Sequence, residues 1–224
     1  MRINQFIASA SGLSRRQADT AVTTGRVQIN GHIATLGQII RPTDLVTLDH
    51  AHLTPTPDYQ YIMLNKPVGY ISTRRRQGAE PTLYELLPTH LQNLRLAGRL
   101  DRDSSGLILL SNDGAFLHHN THPSRGKTKR YELTLSKPLA PSQLIELEAG
   151  IILRDGPSYV HVISHSGRNL IVTIGEGRNR QLRRTFGKLG YRVEQLHRIA
   201  VGSYKLANLA SGSWKKIRPP RSLE

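Results

Sequence analysis

A single carboxylate flanked by arginines is the first feature of this chain that could do chemistry. Asp101 lies within LRLAGRLDRDSSGLILLSN, residues 94–112, at the edge of an alternating apolar-polar segment. A Ser/Gly turn follows, and then the apolar run Leu107-Ile108-Leu109-Leu110. This pattern predicts a loop between two strand-like segments, and loops held by a scaffold commonly carry functional residues. Neighbouring arginines favour the ionised form of a carboxylate, which suits nucleophilic or general-base work. Asp103 is the nearest second carboxylate, but the two pair for acid/base hydrolysis only if the turn folds back. On this loop alone the stronger reading is that Asp101 merely initiates the turn.

Other chemistries fit poorly. Asp101-Arg102-Asp103-Ser104-Ser105-Gly106 opens like a calcium loop, yet its twelfth position is Asn112 and the segment after Gly106 is apolar. His118, His119 and His122 come without the cysteines or acidic motif of a zinc site, and the zinc deaminase signature is missing. Gly98, Gly106 and Gly114 have the wrong spacing for a dinucleotide fingerprint, and no Walker loop is present. With no cysteine, disulfides and thiolate sites are also excluded. The expectation is a site that needs no metal and no cofactor.

Charge points to the partner. The 224 residues carry 31 Lys+Arg against 16 Asp+Glu, a net charge of +15. Such an excess implies a polyanion, most commonly nucleic acid. An acidic membrane surface would call for a basic amphipathic helix or a lipid motif, and neither is evident. Residues 1–58 hold five Arg and four Asp, so the remaining 26 basic and 12 acidic residues put +14 on residues 59–224. No apolar run approaches ~18 residues, so no membrane span is expected. The N-terminus does not read as a secretory signal. The cytoplasm and a monomer are the default expectations.

The elements that must position Asp101 divide into two groups. In the first, Ile3, Phe6 and Ile7 share a helix face. Ser14-Arg15-Arg16-Gln17 spells a capping box for a second helix, which Gly25 ends. Val27 to Ala34 forms a hairpin around Asn30-Gly31, and a strand over 45–48 closes a module at residues 1–49. Residues 50–58, with two prolines, read as an extended linker. The larger part, 59–224, begins with a strand ending at Lys66-Pro67. It continues through a basic loop Arg74-Arg75-Arg76-Gln77-Gly78 and a short helix at 83–87. A helix from Asp113 follows, and Ser124-Arg125 begins a basic run leading into the strand Tyr131–Leu135. Pro141 starts another helix, strands fill 157–174, and a helix spans Asn179 to Leu189. Strands at 193–197 and 214–217 complete the pattern. The expected class is α+β: a small α+β module, then a mixed, mostly antiparallel sheet with flanking helices.

Basic residues outline a candidate surface for the polyanion. Arg15 and Arg16 open a helix against the dipole preference, where a phosphate would be welcome. Four arginines at 178, 180, 183 and 184 repeat that violation. Lys66, Arg74, Arg75, Arg76, Arg99, Lys129, Arg130, Arg178, Arg180 and Arg184 complete the candidate nucleic-acid contacts.

Residues 2–49, through Ser14-Arg15-Arg16, Gly25, Val27 and Asn30-Gly31, resemble the RNA-binding module named after small-subunit ribosomal protein four. Gly98-Arg99-Leu100-Asp101, with Asp103-Ser104 and Gly106-Leu107, resembles the catalytic motif of the RsuA-like pseudouridine synthases. Leu64-Asn65-Lys66-Pro67-Val68-Gly69, Lys129-Arg130-Tyr131 and the run 176–184 match further motifs in that group's order. The resemblance spans residues 59 to about 217 and overturns the turn-only reading of Asp101. It implies isomerisation of one uridine in ribosomal RNA, free or within a ribosome assembly intermediate, to pseudouridine without cofactor. By the same resemblance Asp101 is the essential aspartate, Tyr131 packs on the extruded base and Arg183 pairs with the aspartate. Arg99 would fill the gap in the stack or form a structural ion pair. The spelling EGRNRQLRR leans slightly toward a large-subunit target. A non-catalytic RNA-binding or ribosome-assembly protein is the rival reading, and a nuclease with a metal-binding carboxylate cluster or a histidine pair is a second.

Overall fold

Local signals in the first fifty residues produce a helix pair on a small sheet. The computed structural model describes residues 1–54, 59–76, 78–122 and 126–220. Its contacts divide into one unit at Met1–Tyr59 and another at Gln60–Glu224. In the first, α1 (Ile3–Ser11) buries Ile3, Phe6 and Ile7. Helix α2 (Arg15–Thr23) starts at the Ser14–Gln17 capping box, with both reciprocal bonds formed. Strands β1 (Val27–Ile29) and β2 (His32–Ile33) meet across Asn30-Gly31, whose φ values of 51° and 83° are those of a primed hairpin turn. With β3 (Val46–Leu48) and β4 (Ala51–His52) they form a sheet in the order β2-β1-β3-β4. Strand β4 corrects the linker reading at its start: residues 51–52 pair with β3, and Leu53 packs on the small core. Positions 55–58 of that linker lie outside the described residues, as do Gln77 of the basic loop and Ser124-Arg125.

A nine-stranded sheet organises the second unit. Its strands are β5 (Tyr61–Lys66), β6 (Arg95–Ala97), β7 (Ser105–Ser111), β8 (Lys129–Leu135), β11 (His161–Ser166), β12 (Asn169–Ile174), β13 (Val193–Val201), β14 (Tyr204–Lys205) and β15 (Trp214–Lys216). A separate hairpin pairs β9 (Ile151–Leu153) with β10 (Gly156–Ser158). The sheet order is β11-β12-β8-β13-β7-β5-β15, with β14 on β13 and β6 on β7. Among the described strands of this sheet only β13 and β7 run parallel, and their other pairings are antiparallel. Central position explains the apolar run in β7. Ile108 and Leu110 face one core with Ile62 and Leu64, while Leu107 and Leu109 face a second with Met63 and Phe116. A strand covered on both faces loses its alternation.

Helices cover both faces. Helix α3 (Gly114–Thr121) sinks Phe116 between Tyr61 and Tyr204, with ring centroids 5.0 and 5.9 Å away. Helix α4 (Pro141–Ala149) begins at its proline, as expected of that residue. Helix α5 (Gln181–Lys188) buries Leu182 and Phe186 and starts two residues later than the periodicity suggests. The delay has a cause: Arg180 is left-handed, at φ 46°. The short helix at 83–87 is a 3-10 turn, Leu83–Leu86, with its own Thr82–Glu85 capping box. Tyr159-Val160, expected within a strand, lies between β10 and β11. Among the described residues no helix is long and apolar enough to cross a membrane.

Candidate active site

Strand β7 positions the site. Strand β5 occupies one edge of β7 along its length. The other edge is shared, with β13 opposite residues 105–106 and β6 opposite residues 109–111. Residues 98–104 therefore emerge where β6 and β13 part. They leave β6 at Gly98, whose φ of 84° turns the chain in a way a side chain disfavours.

The loop that follows is tied down carbonyl by carbonyl. Arg198 Nη1 reaches Arg99 O at 3.5 Å, and Ser72 Oγ donates to Leu100 O at 2.7 Å. The Ser104 amide donates to Asp101 O at 3.1 Å, and the Gly69 amide to Arg102 O at 2.9 Å. Arg183 Nη2 donates to Asp103 O at 2.8 Å, and Lys66 Nζ to Ser104 O at 2.7 Å. Every carbonyl from residue 99 to 104 thus has a partner. Such over-determination holds a loop side chain to the precision that catalysis requires.

The Asp101 side chain opens into a cleft of about 560 Å³. Tyr131 and Lys129 on β8, Arg198 on β13, Arg99 and Arg180 line it beside Asp101. Arg180 bridges the two aspartates. It holds both oxygens of Asp103, at 3.1 and 2.9 Å, and lies 3.8 Å from Asp101 Oδ2. Burial pushes the Asp103 carboxyl up, but the Arg180 hydrogen bond and the charges of Arg183 and Arg180 outweigh it and hold that carboxyl below its ordinary range. Burial, joined by the charge of Arg198, pushes the Lys129 ammonium down.

The predicted site residues separate into three groups. Asp101 and Tyr131, 30 positions apart, meet on the cleft. Arg183 sits behind the loop: beyond Asp103 O it donates to Val193 O at 2.6 Å, and its Nε lies 3.3 Å from Asp103 Oδ2. The cation nearest the Asp101 carboxylate is Arg180, where the resemblance pairs Arg183 with it. Among the basic candidates, Arg15, Arg16, Arg75, Arg99 and Arg130 are exposed, with no side-chain partner among the described residues. Several others are engaged internally. Arg74 donates to Leu94 O at 2.8 Å and lies over the Tyr84 ring, and Arg76 pairs with Glu85. Arg178 donates to Asp155 O, Gly156 O and Pro157 O and pairs with Glu176. Arg184 takes both oxygens of Asp155. The arginines that open α5 against its dipole are thus answered by carboxylates and carbonyls of this chain.

Lys66 requires an outright correction. It is 0% exposed, so no RNA reaches it. Its ammonium is a strut under the Asp101 loop, bonded to Ser104 O and, at 2.9 Å, to Pro67 O. Burial pushes it down to about 8, against the pull of Asp101 and Asp103. Between pH 8 and the ordinary 10.5 the folded chain releases this proton while the unfolded chain keeps it. Stability should therefore rise with pH across that window. Lys66→Met should remove the larger part of that rise, Lys129 supplying the rest, and cost about 1–3 kcal/mol at neutral pH through the unmatched carbonyls. Urea unfolding at several pH values checks both.

Arg198 was missed altogether. In β13 the buried Leu196 and Arg198 share one face, opposite Leu133 and Tyr131 of β8, and a bulge follows before Ala200. An arginine in the core register of a strand was the available signal.

Comparison with known proteins shows the family. The profile of the RNA pseudouridylate synthase family matches residues 60–188, and that of the S4 domain matches residues 1–46. A protein of Pasteurella multocida (strain Pm70) named ribosomal small subunit pseudouridine synthase A is 35% identical, over 97% of this chain and 96% of its own. Its namesake in Haemophilus influenzae (strain ATCC 51907 / DSM 11121 / KW20 / Rd) is 36% identical over the same shares. Neither name supports the large-subunit lean read from EGRNRQLRR. A solved structure titled as a pseudouridylate synthase superposes with a TM-score of 0.71 at 34% identity, covering 97% of this chain and 96% of that one. The chain belongs to the RNA pseudouridylate synthase family and carries an S4 domain at its N-terminus.

Proposed function

We propose that this protein converts one uridine of small-subunit ribosomal RNA to pseudouridine, with Asp101 as the group that acts on the nucleotide. The observation that carries the reading is the cleft itself. Its carboxylate is presented by a loop with no slack, beside an aromatic ring and a ring of cations. Its volume of about 560 Å³ suits a single nucleotide. A base that enters must leave its stack, and Tyr131 offers a surface to offset the few kcal/mol this costs. The reaction balances without a redox partner: the N1–C1′ bond breaks, C5 bonds C1′, C5 releases its proton and N1 ends with one. Asp101 attacks the ribose or the base, or assists elimination. Arg180 orients its carboxylate, and Arg183 fixes the turn from behind.

Residues 1–49 are the RNA-binding module and residues 59–224 the catalytic domain in this reading. Arg15 and Arg16 contact phosphates from the start of α2, and Arg75, Arg99 and Arg130 do so from the catalytic domain. The small-subunit target rests on the names of the two relatives above. Replacing Arg15 and Arg16 together by Ala should weaken rRNA binding and lower its salt dependence by about 0.7–0.9 in log-log slope for each lost contact. A filter-binding titration across salt concentrations checks this.

Mapping pseudouridine in rRNA from cells with and without the gene tests the function. Loss of one small-subunit site is expected. An unchanged map would leave a non-catalytic RNA-binding protein.

A further inference from the structure

Arg198 has more donors than the fold uses. It is 3% exposed. Its Nε donates to Leu107 O at 2.7 Å and its Nη1 approaches Arg99 O at 3.5 Å. Nη2 is buried and has no hydrogen-bond partner among the described residues. A guanidinium donor left bare in the interior is costly, so a ligand that accepts from it recovers what the fold leaves unmet. Its location says which one. Arg198 lines the cleft with Asp101, and on the sheet it stands directly opposite Tyr131, its antiparallel partner. Directly opposed side chains on one face lie about 5 Å apart at Cβ. A planar ring resting on Tyr131 therefore presents its polar edge within reach of the guanidinium.

We infer that Arg198 touches the substrate, its Nη2 donating to a ring carbonyl oxygen of the extruded uracil. This rests on the reading that a uridine occupies the cleft. When the N1–C1′ bond breaks, the electron pair stays with the ring and charge spreads onto O2 and O4. A fixed cation aimed there is stronger for the detached ring than for the intact nucleotide, which is the requirement for catalysis. Phosphate is the other anion available. Arg198 is a buried residue of the cleft lining, however, whereas Arg99 and Arg130 are exposed and better placed for the backbone. The bond to Leu107 O and the approach to Arg99 O hold the guanidinium beside the cleft as charge develops.

The test pairs a change in the protein with a change in the base. A small-subunit rRNA fragment spanning the mapped uridine is made with uridine, 2-thiouridine or 4-thiouridine at that position. Single-turnover conversion is then followed with excess protein. Sulfur accepts hydrogen bonds poorly, so one of the two thio substrates should slow the unaltered protein by about tenfold. Arg198→Met should slow uridine conversion by roughly a hundredfold, keep RNA affinity, and no longer distinguish that thio substrate from uridine. Arg198→Lys preserves a cation to meet Leu107 O but cannot also reach the base, so it should behave the same way even if the Met variant folds poorly. Equal rates on all three substrates by the unaltered protein overturn the inference. So does a thio effect that persists in the Arg198 variants, because Arg198 then acts only by holding the loop. An unaltered protein that converts no uridine fails the proposed function instead, a separate outcome.

Discussion

Asp101→Asn should abolish pseudouridine formation while leaving the fold and the RNA complex in place. The turn is held through the Asp101 carbonyl, which accepts from the Ser104 amide, and not through its side chain. That side chain is 32% exposed, and its ion-pair contact is with Arg180 at 3.8 Å, so its loss costs little stability. The amide has nearly the same shape but neither the charge nor the nucleophilicity. Removal of a group that acts on the reacting atoms should lower the single-turnover rate by roughly a thousandfold or more. RNA affinity should change by no more than about twofold, since Arg15, Arg16, Arg75, Arg99 and Arg130 are untouched. Lost binding with surviving turnover would remove Asp101 from the chemistry.

Gly106→Ala should be among the most destabilising single changes in the catalytic domain. Gly106 has φ 108°, and a Cβ there would sit 2.3 Å from Arg198 O and 2.5 Å from Arg198 N. Those are backbone atoms of the parallel neighbour, paired with Gly106 in register. No rotamer change relieves the collision, so β7 and β13 must separate where they frame the cleft. Backbone strain of about 1–2 kcal/mol joins about 1–3 kcal/mol of overpacking, a sum on the order of 3 kcal/mol. Gly98→Ala is the control. Its φ is also positive, at 84°, but nothing lies within 4 Å of its Cβ position. It should cost only the strain, about 1 kcal/mol. Urea midpoints for the two variants separate the terms, and equal costs would mean that the two strands are not so closely apposed. Activity of the Gly106 variant should fall as well, because Arg198 and the Asp101 loop move with those strands.

The parts of this molecule legible in sequence are those set by neighbours along the chain. The Ser14–Gln17 box, the Asn30-Gly31 turn and the proline start of α4 each need only a few residues to specify them. The run Leu107–Leu110 announced a strand, and its burial on both faces explains why it lacks alternation. What escaped is the fate of individual cations. In a chain of net charge +15, a basic residue is read as facing solvent or RNA. Lys66 instead meets a carbonyl 38 positions away, and Arg178 and Arg184 meet Asp155 in the turn between β9 and β10. These contacts depend on tertiary closure, which spacing does not encode. The exchange between Arg180 and Arg183 has the same origin. Arg180, left-handed in backbone, reaches both aspartates, while Arg183 holds the turn behind them.

The account stands on Asp101 making and breaking bonds at one uridine. Release of tritium from small-subunit rRNA labelled at uracil C5 reads that event directly, since C5 gives up its hydrogen only when it bonds C1′. The unaltered protein should release about one equivalent per RNA, and Asp101→Asn none. Release by the Asn variant at the unaltered rate, or none by either protein, would contradict it.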